Sequence, residues 1–391
     1  MSLKNNAIYI IMLVVLIFFA YMDYRYLDIQ FLPATSGDEF PQFYQLFNMY
    51  EGLKQFNIEK FFRFEFYNYG FGWYLLNLLA VIPFHILHSE SMAIFAPRVL
   101  NGLFSVMCLW MVYKISCLYL RRLYAYGIVL LFLSMPGFYL EGYIFKPDVL
   151  QAFFLLWCVF LFMLDDFRFG KNYYLAIGVF GLGVGVAKFQ AVMFFPMVYA
   201  YILLPFFVDK KAFPFKKVFY HGIFSSAMIL FIWILSNPYL LHPRGFRAWW
   251  EMFIINMHSN ATNHGNNIHV SLGDKIFGII DIYYLEIFVF VILCLVFLGL
   301  LGKFLYLRSK HCSYRISHTD IFIVIGVGVF VSLAYLLFGV NKAWSNYYIS
   351  TFYLGILLFI PILMVSKIRH WTLLILLILQ ICGGGGAKWR L

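Results

Sequence analysis

Apolar runs long enough to cross a membrane recur along the whole 391-residue chain, and this repetition limits the fold more than any single motif does. Charged residues make up 12% of the sequence, about half the ~25% typical of soluble domains. That composition excludes a globular cytosolic enzyme and a disordered chain, and predicts an all-α, polytopic membrane protein. The net charge of +11 does not point to nucleic acid. The basic residues fall in short clusters between apolar runs, as cytoplasmic loops do under the positive-inside rule. The six cysteines lie mostly inside apolar runs without CxxC spacing, so neither a disulfide framework nor a zinc site is implied.

Charge parity sets the expected topology. Lys4 precedes the run Ala7 to Tyr21, and the residues after it lack a small-residue cleavage pattern, so it reads as an uncleaved first span. The run Phe71 to Leu87 is interrupted by Pro83 and falls short of the ~20 residues a span needs. Counted as a crossing, it would place Arg121-Arg122, Lys210-Lys211 and Lys216-Lys217 on the non-cytoplasmic side. As an interfacial helix, it returns all of them to the cytoplasm. Ten further runs follow, Arg98 to Leu120, Tyr124 to Tyr139, Val149 to Leu164, Tyr173 to Ala187, Ala191 to Val208, Val218 to Leu235, Ile276 to Leu301, Ile321 to Gly339, Tyr347 to Ser366 and Trp371 to Cys382. The expectation is one integral membrane domain spanning 1–391, with about eleven crossings and two large extracytoplasmic loops, 23–97 and 237–275.

Charge at the edge of the hydrocarbon layer is costly and marks function. The far face gathers Asp38, Glu39, Glu65, Lys146, Asp148, Lys188 and Lys342, each at a turn or span end. Carboxylates and lysines converging there suit an anionic lipid headgroup together with acid/base chemistry. Solvated span ends and helix caps are the ordinary explanation for such residues, and Gly37-Asp38 and Pro147-Asp148 both suit a cap. Lys188 resists that explanation, because it breaks a continuous apolar stretch and needs an anionic partner or a wet cavity. His258, His264 and His269 match no compact zinc spacing and read as loop histidines.

The order of local motifs resembles the glycosyltransferase C superfamily, in its protein O-mannosyltransferase and aminoarabinose-transferase-like branch. Ser36-Gly37-Asp38-Glu39 is similar to the Asp-Glu pair of that family's first extracytoplasmic loop. Asn68-Tyr69-Gly70-Phe71-Gly72-Trp73-Tyr74 resembles the stretch opening its interfacial helix, without the two prolines. Pro97-Arg98-Val99-Leu100-Asn101, Arg121-Arg122-Leu123-Tyr124 and Lys146-Pro147-Asp148 follow in the family's order. Gly181 to Lys188 resembles its glycine-rich helix ending in Thr-Lys, with Ala187 in place of Thr. Ser236-Asn237-Pro238-Tyr239 and Asn263-His264-Gly265 resemble its later loop. The loop 237–275 is far too short for the folded luminal insert of eukaryotic protein O-mannosyltransferases, so a protein acceptor loses weight.

The resemblance implies a GT-C-like fold that moves a sugar from a polyprenyl-phosphate donor to a hydroxyl of a glycan, lipid or protein acceptor. The chemistry would lie on the non-cytoplasmic face of a bacterial inner membrane or endoplasmic reticulum membrane. Asp38 is the expected base, with Glu39 and Asp148 as its catalytic neighbours. Lys188, Lys342 and Arg98 are expected at the donor phosphate, and Glu65, Tyr69 and His264 at the substrate. A divalent cation at Glu39 or Asp148 is left open. The alternative from another class is a transporter or flippase of a lipid-linked or anionic substrate, although the chain lacks the duplicated halves common in transporters.

Overall fold

The structure is a computed structural model that describes residues 7–26, 39–62, 69–266, 268–310 and 316–382. All regular structure among these residues is helical. In chain order the α-helices are α1 (Ala7–Arg25), α2 (Glu39–Lys54), α3 (Ile58–Phe62), α4 (Phe71–Ile86), α5 (Glu90–Tyr119) and α6 (Arg122–Leu133). They continue as α7 (Pro136–Glu141), α8 (Asp148–Asp165), α9 (Lys171–Leu182), α10 (Phe195–Val208), α11 (Phe215–Ser236) and α12 (Pro243–Thr262). The last are α13 (Leu272–Lys275), α14 (Ile287–Lys310), α15 (Ile321–Ala334), α16 (Ile349–Gly355), α17 (Ile360–Val365) and α18 (Arg369–Cys382).

Eight helical stretches among the described residues are long and apolar enough to cross a membrane. They are Ala7–Arg25, Glu90–Tyr119, Asp148–Asp165, Phe189–Val208, Phe215–Ser236, Ile287–Ser309, His318–Gly339 and Ser345–Val365. Helices α4, α6 and α18 are apolar but shorter. Buried α8 packs against α5, α9 and α16, while α15 lies between α10 and α16. Helices α1, α11 and α14 surround this centre and turn side chains such as Val14, Phe231 and Leu295 outward, each about 60% exposed. Rows of apolar side chains on the outside are costly in water and favourable against lipid. The chain is a multi-pass α-helical membrane protein.

Hydrogen bonds sort the connections into two ends of the bundle. At one end Tyr119 reaches His318, His318 pairs with Asp166, Phe169 stacks on Phe213, and Tyr124 meets His370. The exposed basic residues Arg121, Arg122, Lys171, Lys210, Lys211, Lys216 and Lys217 belong to the turns there. The opposite end gathers the start of α2, the segment 141–148, the break at Lys188, the loop after α11, and the turn 341–346. Both ends of the α4 segment attach here, Phe71 to Asn237 and, after the reversal into α5, Arg98 to Glu39. The segment 71–98 therefore leaves and returns at one end.

Candidate functional site

Glycines and one asparagine build the floor of the site. After α9 the helix widens into a π-turn, Gly183–Ala187, and the chain becomes extended at Lys188 with φ −145° and ψ 127°. The freed carbonyls find new partners. Gly70 N–H donates to Ala187 O at 3.0 Å. Asn237 donates to Gly185 O at 2.9 Å and Trp233 O at 2.8 Å, while its Oδ1 accepts the N–H of Phe71 at 2.8 Å. A Cβ on Gly70 would run into the carbonyl oxygens of Gly185 and Val186, so the close approach requires glycine there. Asn237 thus joins three segments and satisfies the first N–H of α4, which lacks a side-chain cap of its own.

This knot projects Lys188 toward the first turn of α8. Its Nζ donates to Asp148 Oδ1 at 2.8 Å, with side-chain exposures of 13% for Lys188 and 3% for Asp148. The ammonium also lies 4.8 Å from the Tyr347 ring centroid and 5.7 Å from that of Tyr69. Asp148 makes no side-chain cap at the start of α8. Its carboxylate serves Lys188 instead, and Oδ2 has no hydrogen-bond partner among the described residues.

Lys342 approaches from the turn between α15 and α16. It is 3% exposed, donates to Ser259 Oγ at 2.8 Å, and lies 4.8 Å from the Trp344 ring centroid. A lysine only donates, so Ser259 Oγ accepts from it, and the same hydroxyl is hydrogen-bonded to His264 Nδ1, 2.9 Å away. The His264 ring packs on Trp344 with centroids 5.1 Å apart. Asn341 fastens this loop by accepting from Val270 N–H and donating to Ile268 O and, through its backbone, Asn260 O.

Lys188, Lys342, Tyr69 and His264 line one cavity of about 400 Å³, with Gln42 of α2 at its edge and Trp249, Phe253, Trp344 and Tyr347 among its walls. Two cations in an aromatic-walled cleft suit an anion attached to an apolar or ring-bearing body.

Glu39 and Arg98 sit elsewhere. Both side chains are fully buried. Arg98 Nη2 and Nε donate to Glu39 Oε2 and Oε1 at 2.8 and 3.1 Å, and Nη1 donates to Tyr26 O at 3.0 Å. Phe145 N–H donates to Glu39 Oε1 at 2.7 Å. Neither residue lines the cavity. Arg98, expected at a phosphate, instead has its charge matched by Glu39. Lys146, which reads as a solvated turn in the sequence, is buried. Asp38 and Glu65 lie outside the described residues, as does Asn68 of the motif before α4.

Some contributors have little sequence signature. Trp344 and Tyr347 supply rings to the lysines, and their position at a span end beside Lys342 is the available signal. Buried Glu141 accepts from Ser345 Oγ at 2.5 Å. Burial raises its pKa above the usual glutamate value, with Lys146 beside it opposing the shift. Among the described residues no three His, Cys, Asp or Glu side chains converge as a metal site. Comparisons with protein-family models, curated proteins and solved structures find no match to this chain.

Proposed function

We propose that the chain is a membrane glycosyltransferase of the GT-C kind, with about eleven crossings, that transfers a sugar from a polyprenyl-phosphate donor to an acceptor hydroxyl on the non-cytoplasmic face. The observation that carries this reading is the convergence of Lys188 and Lys342, from two separate breaks between helices, on one aromatic-walled cavity. The basic turns at the opposite end of the bundle support the orientation.

In this reaction the acceptor oxygen attacks the anomeric carbon while the bond from that carbon to the phosphate oxygen breaks. Negative charge grows on the departing polyprenyl phosphate, where Lys188 and Lys342 stabilise it. The acceptor proton passes to a carboxylate. Asp38 is assigned this role, because it immediately precedes α2, whose Pro41 and Gln42 border the cavity. Asp148 orients the Lys188 ammonium, and the rings of Tyr69, Trp344 and Tyr347 offer apolar faces to the sugar or the first isoprene units.

The test is to incubate the purified chain with a panel of polyprenyl-phosphate sugars and measure release of free polyprenyl phosphate. The reading expects turnover of at least one donor, lowered at least ~100-fold by Asp38→Asn with donor binding retained. Near-normal turnover in a stable Asp38→Asn protein would remove Asp38 from the mechanism. The break at Gly183–Lys188 also favours a transporter, since transport sites often use discontinuous helices. Uptake of intact donor into proteoliposomes without release of polyprenyl phosphate would select that reading.

A further inference from the structure

A second cavity, of about 690 Å³, opens at the end of the bundle opposite Lys188, between the turn after α8, the end of α10 and the first turns of α11. The turn is unusual in its backbone. Asp166, Phe167 and Phe169 all have positive φ, at 51°, 56° and 56°, a region that residues with a Cβ seldom occupy. Asp165 holds it there. Its buried carboxylate accepts from the N–H groups of Phe169 and Gly170, both at 2.8 Å, from Tyr173 N–H at 3.2 Å, and from Tyr201 Oη at 2.6 Å. The left-handed residues let Phe167 stack on Tyr201 and Phe169 on Phe213, with Arg168 left pointing outward between them, its side chain 76% exposed. A strained turn maintained by a buried carboxylate is characteristic of functional positions.

The cavity has two chemical halves. Phe169, Phe213, Pro205 and Val208 form an apolar wall, while Arg168 and Lys217 stand at the charged side. Lys210, Lys211 and Lys216 lie in the adjoining turn. The acids facing this side are partly engaged. Asp166 pairs with His318 at 2.7 Å and lies 3.9 Å from Arg168, and Asp209 accepts the backbone N–H groups of Lys211 and Ala212. Pro205 and Val208 end one candidate span and Lys217 and Tyr220 begin the next, so the cavity sits where a bilayer changes from headgroup to acyl chain. A soluble anion would use only the charged rim. A phosphodiester lipid would use both halves, with its phosphate at Arg168 and Lys217 and its chain along the apolar wall.

We propose that this cavity binds an anionic phospholipid, held by Arg168 and Lys217. The inference is independent of the reaction at Lys188. The test uses the full chain in detergent, titrated with phosphatidylglycerol or phosphatidylcholine, with bound lipid counted by native mass spectrometry. Wild type should retain phosphatidylglycerol and not phosphatidylcholine. The double variant Arg168→Gln/Lys217→Gln, altered at exposed positions, should bind phosphatidylglycerol roughly tenfold more weakly. Lys303→Gln/Lys367→Gln, changed at exposed basic positions outside the cavity, should bind as wild type does. Equal retention of both lipids by the wild type, or an equal loss in the second variant, would overturn the proposal. Full displacement by soluble glycerol phosphate would also overturn it, by making the ligand a free anion.

Discussion

Two acid–base pairs lie at the same end of the bundle, and they differ in what each leaves available. Glu39 and Arg98 meet through two parallel hydrogen bonds with both side chains fully buried, and Tyr26 O and Phe145 N–H take up further capacity. Asp148 and Lys188 share one contact at 2.8 Å, with Lys188 13% exposed and lining a cavity. One of the three lysine N–H groups points to Asp148, and the nearby rings attract the charge without consuming a donor. A sealed pair fixes geometry. A pair open to a cavity can exchange part of its coordination for a ligand.

The largest expected effect breaks the sealed pair. Arg98→Met would leave Glu39 buried without its countercharge, next to Asp23, which is itself buried with neither carboxylate oxygen partnered among the described residues. Removing one partner of such a pair costs about 3–5 kcal/mol. Thermal unfolding in detergent should show a large loss for Arg98→Met. A stable variant with weakened donor binding would instead return Arg98 to the phosphate site.

A smaller effect tests the knot that presents the open pair. Asn237→Ala leaves Phe71 N–H and Gly185 O without their side-chain partner in a buried place, a cost of roughly 1–3 kcal/mol. Loss of donor binding at temperatures where the variant remains folded would show that the knot aims Lys188. Unchanged stability would deny it that role.

The smallest effect concerns pH. Burial raises the Glu141 pKa, with Lys146 and Lys188 opposing the shift and Asp148 reinforcing it. The stability this group contributes is therefore fully present below the ordinary glutamate pKa of about 4.3 and declines as pH rises through the raised value. Glu141→Gln keeps an oxygen for Ser345 and removes the titration. The melting temperature of wild type relative to Glu141→Gln should fall as pH rises through that window, and a constant difference would contradict the assignment.

Much of the bundle was legible because charge interrupts apolar runs rarely. Lys188 and Lys342 stand out in the sequence for that reason, and they meet in one cavity with Tyr69 and His264. Which acid each cation would choose was not legible. Arg98 selects Glu39 across 59 positions and Lys188 selects Asp148 across 40, choices made by the packing of α2 on α4, of α4 on α5 and of α8 on α9. Asn237 is visible as part of Asn-Pro-Tyr, yet its hydrogen bond to Gly185 O depends on a π-turn that no local pattern announces. Glu141 offers even less, since a lone acid after an apolar run reads as a solvated turn until Ser345 is folded onto it.

The open pair is the proposed donor phosphate site, and the most direct measurement removes that pair without leaving a buried charge. Lys188→Met/Asp148→Asn replaces both members with neutral residues of similar size, and its binding of a radiolabelled polyprenyl-phosphate sugar can be compared with wild type at matched folded fraction. The double variant should fold and bind the donor at least about tenfold more weakly, the loss of one charge-assisted hydrogen bond. Unchanged affinity in the folded double variant would contradict that assignment.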